Sequence, residues 1–320
     1  MPSAALRHRI GALEVVRDLP WRRTRDPWLV LVAEVCLQQT QAARAIEAYR
    51  RCAERFSSPE ECASAPRSAV LEAWAGLGYY RRARALHEAA GVIVARHGGV
   101  VPDRLEDLLA LPGVGPYTAR AVLAFAFERD VAVVDTNVAR VLARAVANRA
   151  LQPREAQLLA DDLVVPGTGW KHNQAMLDLG ALHCSATPRC AGCPLRPACR
   201  WRRAGPGAPD PAPRSAGVSR PQPRFEGSDR QGRGRLLAAA TAGPVRLGDV
   251  ARAAGWPEDP HRANLVASAL VDEGLLRRDG CALRLEDRVS GVFSPRGIPG
   301  RARRPTLAAR PARSGPRRGS

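Results

Sequence analysis

Four cysteines crowd one short segment, spaced Cys184-x5-Cys190-x2-Cys193-x5-Cys199. Thiolates at such spacing can enclose a tetrahedral zinc ion or cap the corners of a [4Fe–4S] cube, and spacing alone leaves both open. Two carboxylates elsewhere suit acid–base work. Glu34 lies in an apolar run, with Val30, Leu31, Leu37 and Gln38 as its helical neighbours three and four residues away. A carboxyl on that face is desolvated, which raises its pKa and makes it a proton donor near neutral pH. Asp135 follows Val131-Ala132-Val133-Val134 and precedes Thr136-Asn137, a position for a helix N-cap. The helix terminus there favours the ionised form, which could stabilise a developing cation. The two carboxyls would thus be pushed in opposite directions, as an acid and an electrostatic stabiliser require. Finally, Leu111-Pro112-Gly113-Val114-Gly115-Pro116-Tyr117-Thr118-Ala119 brings backbone close to a ligand at Gly113 and Gly115, where N–H groups can cradle a phosphate. A surface glutamate, an ordinary cap and helix-closing glycines explain the last three features one at a time. The cysteine set has no such ordinary reading.

The elements that must position these residues are helices. Apolar periodicity is helical through residues 5 to 183, punctuated by Asp26-Pro27, Ser58-Pro59, Gly76, Gly98-Gly99 and the hairpin glycines. The reading is one all-α unit over residues 1 to 199, with helices at Trp28 to Leu37, Arg67 to Ala75, Tyr80 to His97, Asp103 to Ala110, Pro116 to Phe127 and Thr136 to Val146. Residues 200 to 224 have the Pro/Gly-rich composition of a linker. Beyond them, helices at Arg233 to Thr241, Leu247 to Ala254 and Pro260 to Glu273, then two strands around Asp279-Gly280, predict a small winged-helix-like module over 225 to 287. Cys36, Cys52, Cys62 and Cys281 stand outside the grouping and are expected as buried small side chains.

The 320 residues carry 49 Lys+Arg against 31 Asp+Glu, a net charge of +18 and a sequence pI of about 11.0. That balance points to a polyanionic partner, most simply nucleic acid. Residues 200 to 224 hold +5 and residues 288 to 320 hold +9, which leaves +4 for the rest. The tail, with nine arginines and no acid, is expected to be disordered. Lys171 is the only lysine. No apolar run reaches the ~18 residues of a spanning helix, and Met1 to Pro20 is too charged for a secretory signal. A cytoplasmic, nucleoid-associated protein is expected, in a compartment where cysteines serve metals better than disulfides.

The sequence resembles the helix-hairpin-helix DNA glycosylases of the endonuclease III-like superfamily, and among them the adenine-excising MutY family. The resemblance rests on Leu19-Pro20-Trp21, Glu34 to Gln41, Gly76 to Arg84, the Leu111 to Ala119 hairpin, Val134 to Val138, Asn173 to Gly180 and the four cysteines, in the family's order over residues 19 to 199. It implies a six-helix barrel (22–129) with a helix-hairpin-helix motif. This would pack on a cluster domain (1–21 with 130–199) whose Cys184, Cys190, Cys193 and Cys199 hold a [4Fe–4S] cluster. The implied substrate is double-stranded DNA with 8-oxoguanine:A or G:A mispairs, bound by a monomer. By this resemblance Glu34 protonates the flipped adenine and Asp135 stabilises the oxocarbenium-like sugar, while Tyr117 and Asn137 hydrogen-bond within the site. Gln38, Gln39 and Thr40 would lie at the estranged pair, Tyr79 would wedge beside the 8-oxoguanine, and Gly113 and Gly115 would meet the backbone. Tyr117 stands where endonuclease III has its lysine, which implies glycosylase action without strand cleavage.

The chain departs from the family twice. It has five residues between the first two cysteines where relatives usually have six, and no Nudix-like domain is evident in 225 to 287. The competing readings are a thymine or uracil mismatch glycosylase of the same superfamily and a non-catalytic, cluster-containing DNA-binding regulator. The Gln38-Gln39-Thr40 and Gly76 to Tyr80 motifs favour adenine, and the presence of both Glu34 and Asp135 favours catalysis.

Overall fold

A computed structural model describes residues 2–218 and 224–287; the Arg-rich segment 288–320 lies outside the described residues. The first helix, α1 (Ala4–Gly11), is capped by Ser3. It is followed by α2 (Pro27–Leu37), α3 (Ala42–Arg55), α4 (Pro59–Ser64), α5 (Arg67–Ala73), α6 (Arg81–His97), α7 (Leu105–Leu109) and α8 (Pro116–Phe125). These lead to α9 (Thr136–Val141), which runs on as a π-helical turn to Ala147, then α10 (Pro153–Asp161), α11 (Gly169–Leu182) and α12 (Arg200–Arg203).

Helix α2 is the axle. Asp26 accepts hydrogen bonds from the N–H groups of Trp28 (2.8 Å) and Leu29 (3.0 Å), and Pro27 fills the first turn. Eight of its eleven residues are buried, so it is apolar nearly all round, as a central helix must be. It packs against α3, α6 and α8, and the Trp28 indole donates to the Phe56 carbonyl at 2.9 Å. The core around it runs from Trp21 through Phe125 to Val133, while a second core joins Leu6, Ile10 and Leu13 to residues 132 to 199. The all-helical barrel and its partner domain therefore meet near residues 21 and 132. Two ion pairs tie them among the described residues: Arg120 of α8 meets Asp161 of α10, and Arg22 grips Asp178 of α11 with two hydrogen bonds, 2.9 and 2.7 Å. Burial opposes charge on Asp178, but Arg22, Arg17 and two backbone N–H groups hold its carboxyl down to about 2.

The expected linker is corrected over residues 200 to 217, which pack rather than span. Asp210 accepts from the buried Arg144 at 2.9 and 2.6 Å, and the Trp201 indole donates to the Ala208 carbonyl. Ser215 accepts from the Leu151 N–H, and the Ala216 N–H donates back to the Leu151 carbonyl at 2.9 Å. Proline and glycine count suggested a free segment, whereas a few long-range polar pairs fix it.

Beyond it lie α13 (Asp229–Ala242), β1 (Val245–Arg246), α14 (Val250–Ala254), α15 (Pro260–Asp272), β2 (Leu276–Asp279) and β3 (Ala282–Leu285). The antiparallel sheet has the order β1-β3-β2, with Leu276 opposite Leu285 and Asp279 opposite Ala282. The two turn residues are therefore Gly280 and Cys281, and Cys281 is exposed at the tip instead of buried as expected. Cys36, Cys52 and Cys62 are buried. The module's apolar core is continuous with that of the barrel. The fully buried Arg67 donates to the Gly274 carbonyl (3.3 Å), and Asp287 accepts from the Ser68 N–H (3.2 Å). Among the described residues no helix is long and apolar enough to cross a membrane.

Candidate active site and cysteine cavity

Glu34 sits on the last turns of α2, 3% exposed, and its Oε2 has no hydrogen-bond partner among the described residues. Burial pushes its carboxyl up to about 8. A hydrogen bond with the Tyr117 hydroxyl pulls the other way, and the charge of Asp135 adds to the rise. Tyr117 belongs to the first turn of α8, directly after the hairpin. Burial and the two carboxylates push its phenol well above its ordinary value, so it remains a hydrogen-bond donor.

Asp135 is the N-cap of α9, as its position predicts, and accepts from the Val138 N–H at 2.8 Å. Its other oxygen accepts from the Asn137 amide at 2.5 Å. That amide is itself oriented, because its oxygen accepts from Arg140 Nη2 at 2.6 Å while Arg140 Nε reaches the Cys184 carbonyl at 2.7 Å. The expectation that the helix terminus depresses the Asp135 pKa is corrected. Burial pushes this carboxyl up as well, against the Val138 and Asn137 hydrogen bonds and the Arg140 charge. The approach to the cap is set by Asn173, which donates to the Val131 and Gly169 carbonyls and accepts from the Val133 N–H. Helix α11 also comes so close at Gly180 that a Cβ there would lie 2.6 Å from the Asn137 backbone.

The hairpin joins α7 to α8. Gly113 stands at φ +74°, and a Cβ on it would meet that of Ala85 at 2.6 Å, so both conformation and space require glycine. Gly115 caps α8 with extended backbone. Gln38 donates to the Gly113 carbonyl (3.1 Å) and the Thr118 hydroxyl (3.2 Å), which ties the end of α2 to the hairpin. Gln39 is exposed with φ +55°, and Tyr79 is about one-third exposed with φ +50°. The Thr40 hydroxyl donates to the Gln38 carbonyl and accepts from Arg82. Glu34, Tyr117, Asp135 and Asn137 thus form one polar cluster, and Gln38, Gln39, Thr40, Tyr79 and the hairpin lie at the end of α2 beside it.

Cys184, Cys190, Cys193 and Cys199 all line one cavity, walled by Val141, Leu179 and Leu195 and by Trp201. Among the described residues no three of His, Cys, Asp and Glu gather closely enough to hold a single metal ion. The cavity walls are nevertheless suited to thiolates. The N–H groups of Leu195 and Arg196 donate to Cys193, those of Trp201 and Arg202 donate to Cys199, and Arg144 reaches Cys184 Sγ at 3.5 Å. Arg144 also donates to the carbonyls of Ser185 and Ala186, bracing the short first loop. The residues that sequence reasoning missed are arginines: Arg22, Arg82, Arg140 and Arg144. Their distant partners alone distinguish them among 48 arginines.

Residues 32–165 match the HhH-GPD superfamily of base excision DNA repair proteins. The chain is 43% identical over 269 residues to the adenine DNA glycosylase of Mycobacterium tuberculosis H37Rv, a match spanning 82% of this chain and 86% of that protein. It is 42% identical over 202 residues to the human adenine DNA glycosylase, over 58% of this chain and 37% of that one. Among solved structures, a thermostable thymine-DNA glycosylase superposes with a TM-score of 0.56 at 29% identity, covering 63% of this chain and 95% of that one. A trapped endonuclease III–DNA covalent intermediate gives 0.53 at 25% identity, over 62% and 93%. The chain belongs to the HhH-GPD superfamily of base excision repair proteins and, within it, to the adenine DNA glycosylases.

Proposed function

We propose that this chain binds duplex DNA and hydrolyses the N-glycosidic bond of adenine mispaired with 8-oxoguanine or guanine. The observation that carries the reading is Glu34, a buried carboxyl with one unpartnered oxygen, raised to about 8 and held beside Asp135 and Tyr117. Adenine in a duplex presents its glycosidic bond to no protein group, so the base must leave the stack to meet such a carboxyl. Glu34 is protonated at neutral pH and gives its proton to the adenine ring, which turns the base into a leaving group. Asp135, in its ionised form, faces the positive charge that grows on the sugar, with Asn137 and the α9 N-terminus fixing it. Tyr117 keeps the Glu34 carboxyl oriented. Water completes the reaction, since the hairpin offers no amine for a Schiff base. Lys171 lies on α11, paired with Glu14 at 2.8 Å.

Gln38, Gln39, Thr40 and Tyr79 contact the widowed pair, and the N–H groups of the hairpin hold phosphate. The four cysteines hold a [4Fe–4S] cluster; one cavity lined by four thiols and donated N–H bonds fits a cube better than one ion, whose 2.3 Å bonds demand tighter convergence. Such a cluster knits the segment after α11 into the fold.

Incubation with labelled duplexes containing 8-oxoguanine:A, G:A, G:T and G:U tests the reading. Strand breaks are expected at the two adenine mispairs, and only after hot alkali. Excision of thymine or uracil instead would favour the activity named for the thymine-DNA glycosylase neighbour. Breaks without alkali, or no excision at all, would overturn the hydrolytic mechanism.

A further inference from the structure

Arg82, in the first turn of α6, is 9% exposed and has no acidic partner among the described residues. Burial lowers its pKa to about 10. A buried guanidinium without a counterion is costly, so its neutral partners are informative. Nη1 donates to the carbonyls of Val35 (3.0 Å), Cys36 (2.9 Å) and Gln38, and Nη2 to the Thr40 hydroxyl and the Gly78 carbonyl, both at 3.1 Å. The guanidinium carbon lies 5.2 Å from the Trp74 ring centre and 5.4 Å from that of Tyr79. One side chain therefore satisfies the open carbonyl end of α2, the turn through Gln39 and the loop through Tyr79. These two segments contain Gln39 and Tyr79, two of the four non-glycine residues with positive φ among the described residues. Left-handed backbone at such residues is strained and persists only where its surroundings enforce it.

We infer that Arg82 is a positioning residue that sets recognition of the mispair, holding the Gln38–Thr40 turn and the Gly78–Tyr79 loop in one fixed relation at the end of the helix that carries Glu34. The inference rests on the reading above that these two segments meet the widowed pair. Both segments hang on one fork, so neither can move without the other, and selectivity belongs to the pair of loops. Lysine cannot replace the fork: an ammonium has three donors at one point and no planar face for Trp74 and Tyr79.

The test uses the full chain and duplexes with a non-cleavable 2′-fluoro-adenosine opposite 8-oxoguanine or thymine. The readout is the ratio of the two dissociation constants for wild type, Arg82→Lys, Thr40→Val and Tyr79→Ala, with thermal melting and visible absorbance confirming each fold. Arg82→Lys is expected to shrink the selectivity ratio at least tenfold, and Thr40→Val, which removes one of the five acceptors, to shrink it less. Guanidinium added to an Arg82→Ala variant should restore part of the ratio. An unchanged ratio in Arg82→Lys, or an equal loss on both duplexes, overturns the inference while a collapsed ratio in Tyr79→Ala leaves the loop reading standing. A Tyr79→Ala ratio equal to wild type overturns the loop reading itself, and with it the role given to Arg82.

Discussion

The two carboxyls differ less in the direction of their shifts than in what surrounds them. Among the described residues Glu34 has a single hydrogen-bond partner and one oxygen without any, whereas Asp135 accepts from a backbone N–H and an amide backed by Arg140. Glu34→Gln and Asp135→Asn should each slow single-turnover excision by at least ~10², the lower range for losing a proton donor or a fixed charge, with DNA binding retained. Asparagine still caps α9, so the second variant removes charge without removing the helix start. Near-normal excision by either would remove that residue from the mechanism. The rate should fall about tenfold per unit above pH 8, because the working form of Glu34 is the protonated one, and should fall again in acid, where Asp135, its carboxyl raised by burial, loses the charge that faces the sugar. Stability carries the opposite mark. The folded value of about 8 lies above the ordinary 4.5, so folding takes up a proton between those limits. The wild type is therefore penalised by about 1.4 kcal/mol per pH unit as pH rises from 4.5 to 8. Glu34→Gln is spared this, and its melting temperature should exceed that of wild type at pH 8 by more than at pH 5.

At the scale of elements, what was legible in the sequence was what local chemistry dictates. The Asp26-Pro27 start of α2, the cap at Asp135 and the glycine hairpin could be read because each depends on neighbours within a turn of helix. Glu34's burial followed from residues three and four positions away. The strap of residues 200 to 217 could not be read, since Pro/Gly content describes the unfolded chain's freedom while Arg144–Asp210 and Leu151–Ser215 are pairings over more than sixty residues. For the same reason Arg82 looked like any other cation. The strap gives a prediction of its own. Arg144 is 2% exposed in its side chain and Asp210 28%, so Asp210→Ala leaves a buried guanidinium without its carboxylate, a loss of about 3 kcal/mol. The iron content and visible absorbance of the proposed cluster should decline on heating at lower temperature than in wild type, because the same guanidinium reaches Cys184 and the two carbonyls after it. An unaltered melting curve would mean that the strap rests on the fold without bracing it.

At the scale of the whole molecule, the charge is placed apart from the chemistry. Residues 224 to 287 hold ten arginines against ten acids, and several of these pair within the module: Arg262 with Asp229, Arg233 with Glu273, Arg284 with Asp279. The module presents no excess charge to a phosphate backbone. It presses instead on α5 and α6, where Arg84 donates to the Glu273 carbonyl and Arg230 reaches the Tyr79 hydroxyl at 3.3 Å. Half of the net charge of +18 lies in residues 288 to 320, with nine arginines and no acid. Each phosphate neutralised contributes about −0.9 to the slope of log affinity against log salt, so a tail that engages roughly three phosphates steepens the slope by about 2 to 3. Such contacts carry no sequence information. Removing residues 288 to 320 should therefore flatten the salt dependence and weaken matched and mismatched duplexes alike, while single-turnover excision at saturating enzyme stays the same. A truncated chain that kept the full slope would show the tail to be idle on DNA, and one that lost only the 8-oxoguanine:A preference would place specificity in a segment whose composition offers nothing but charge.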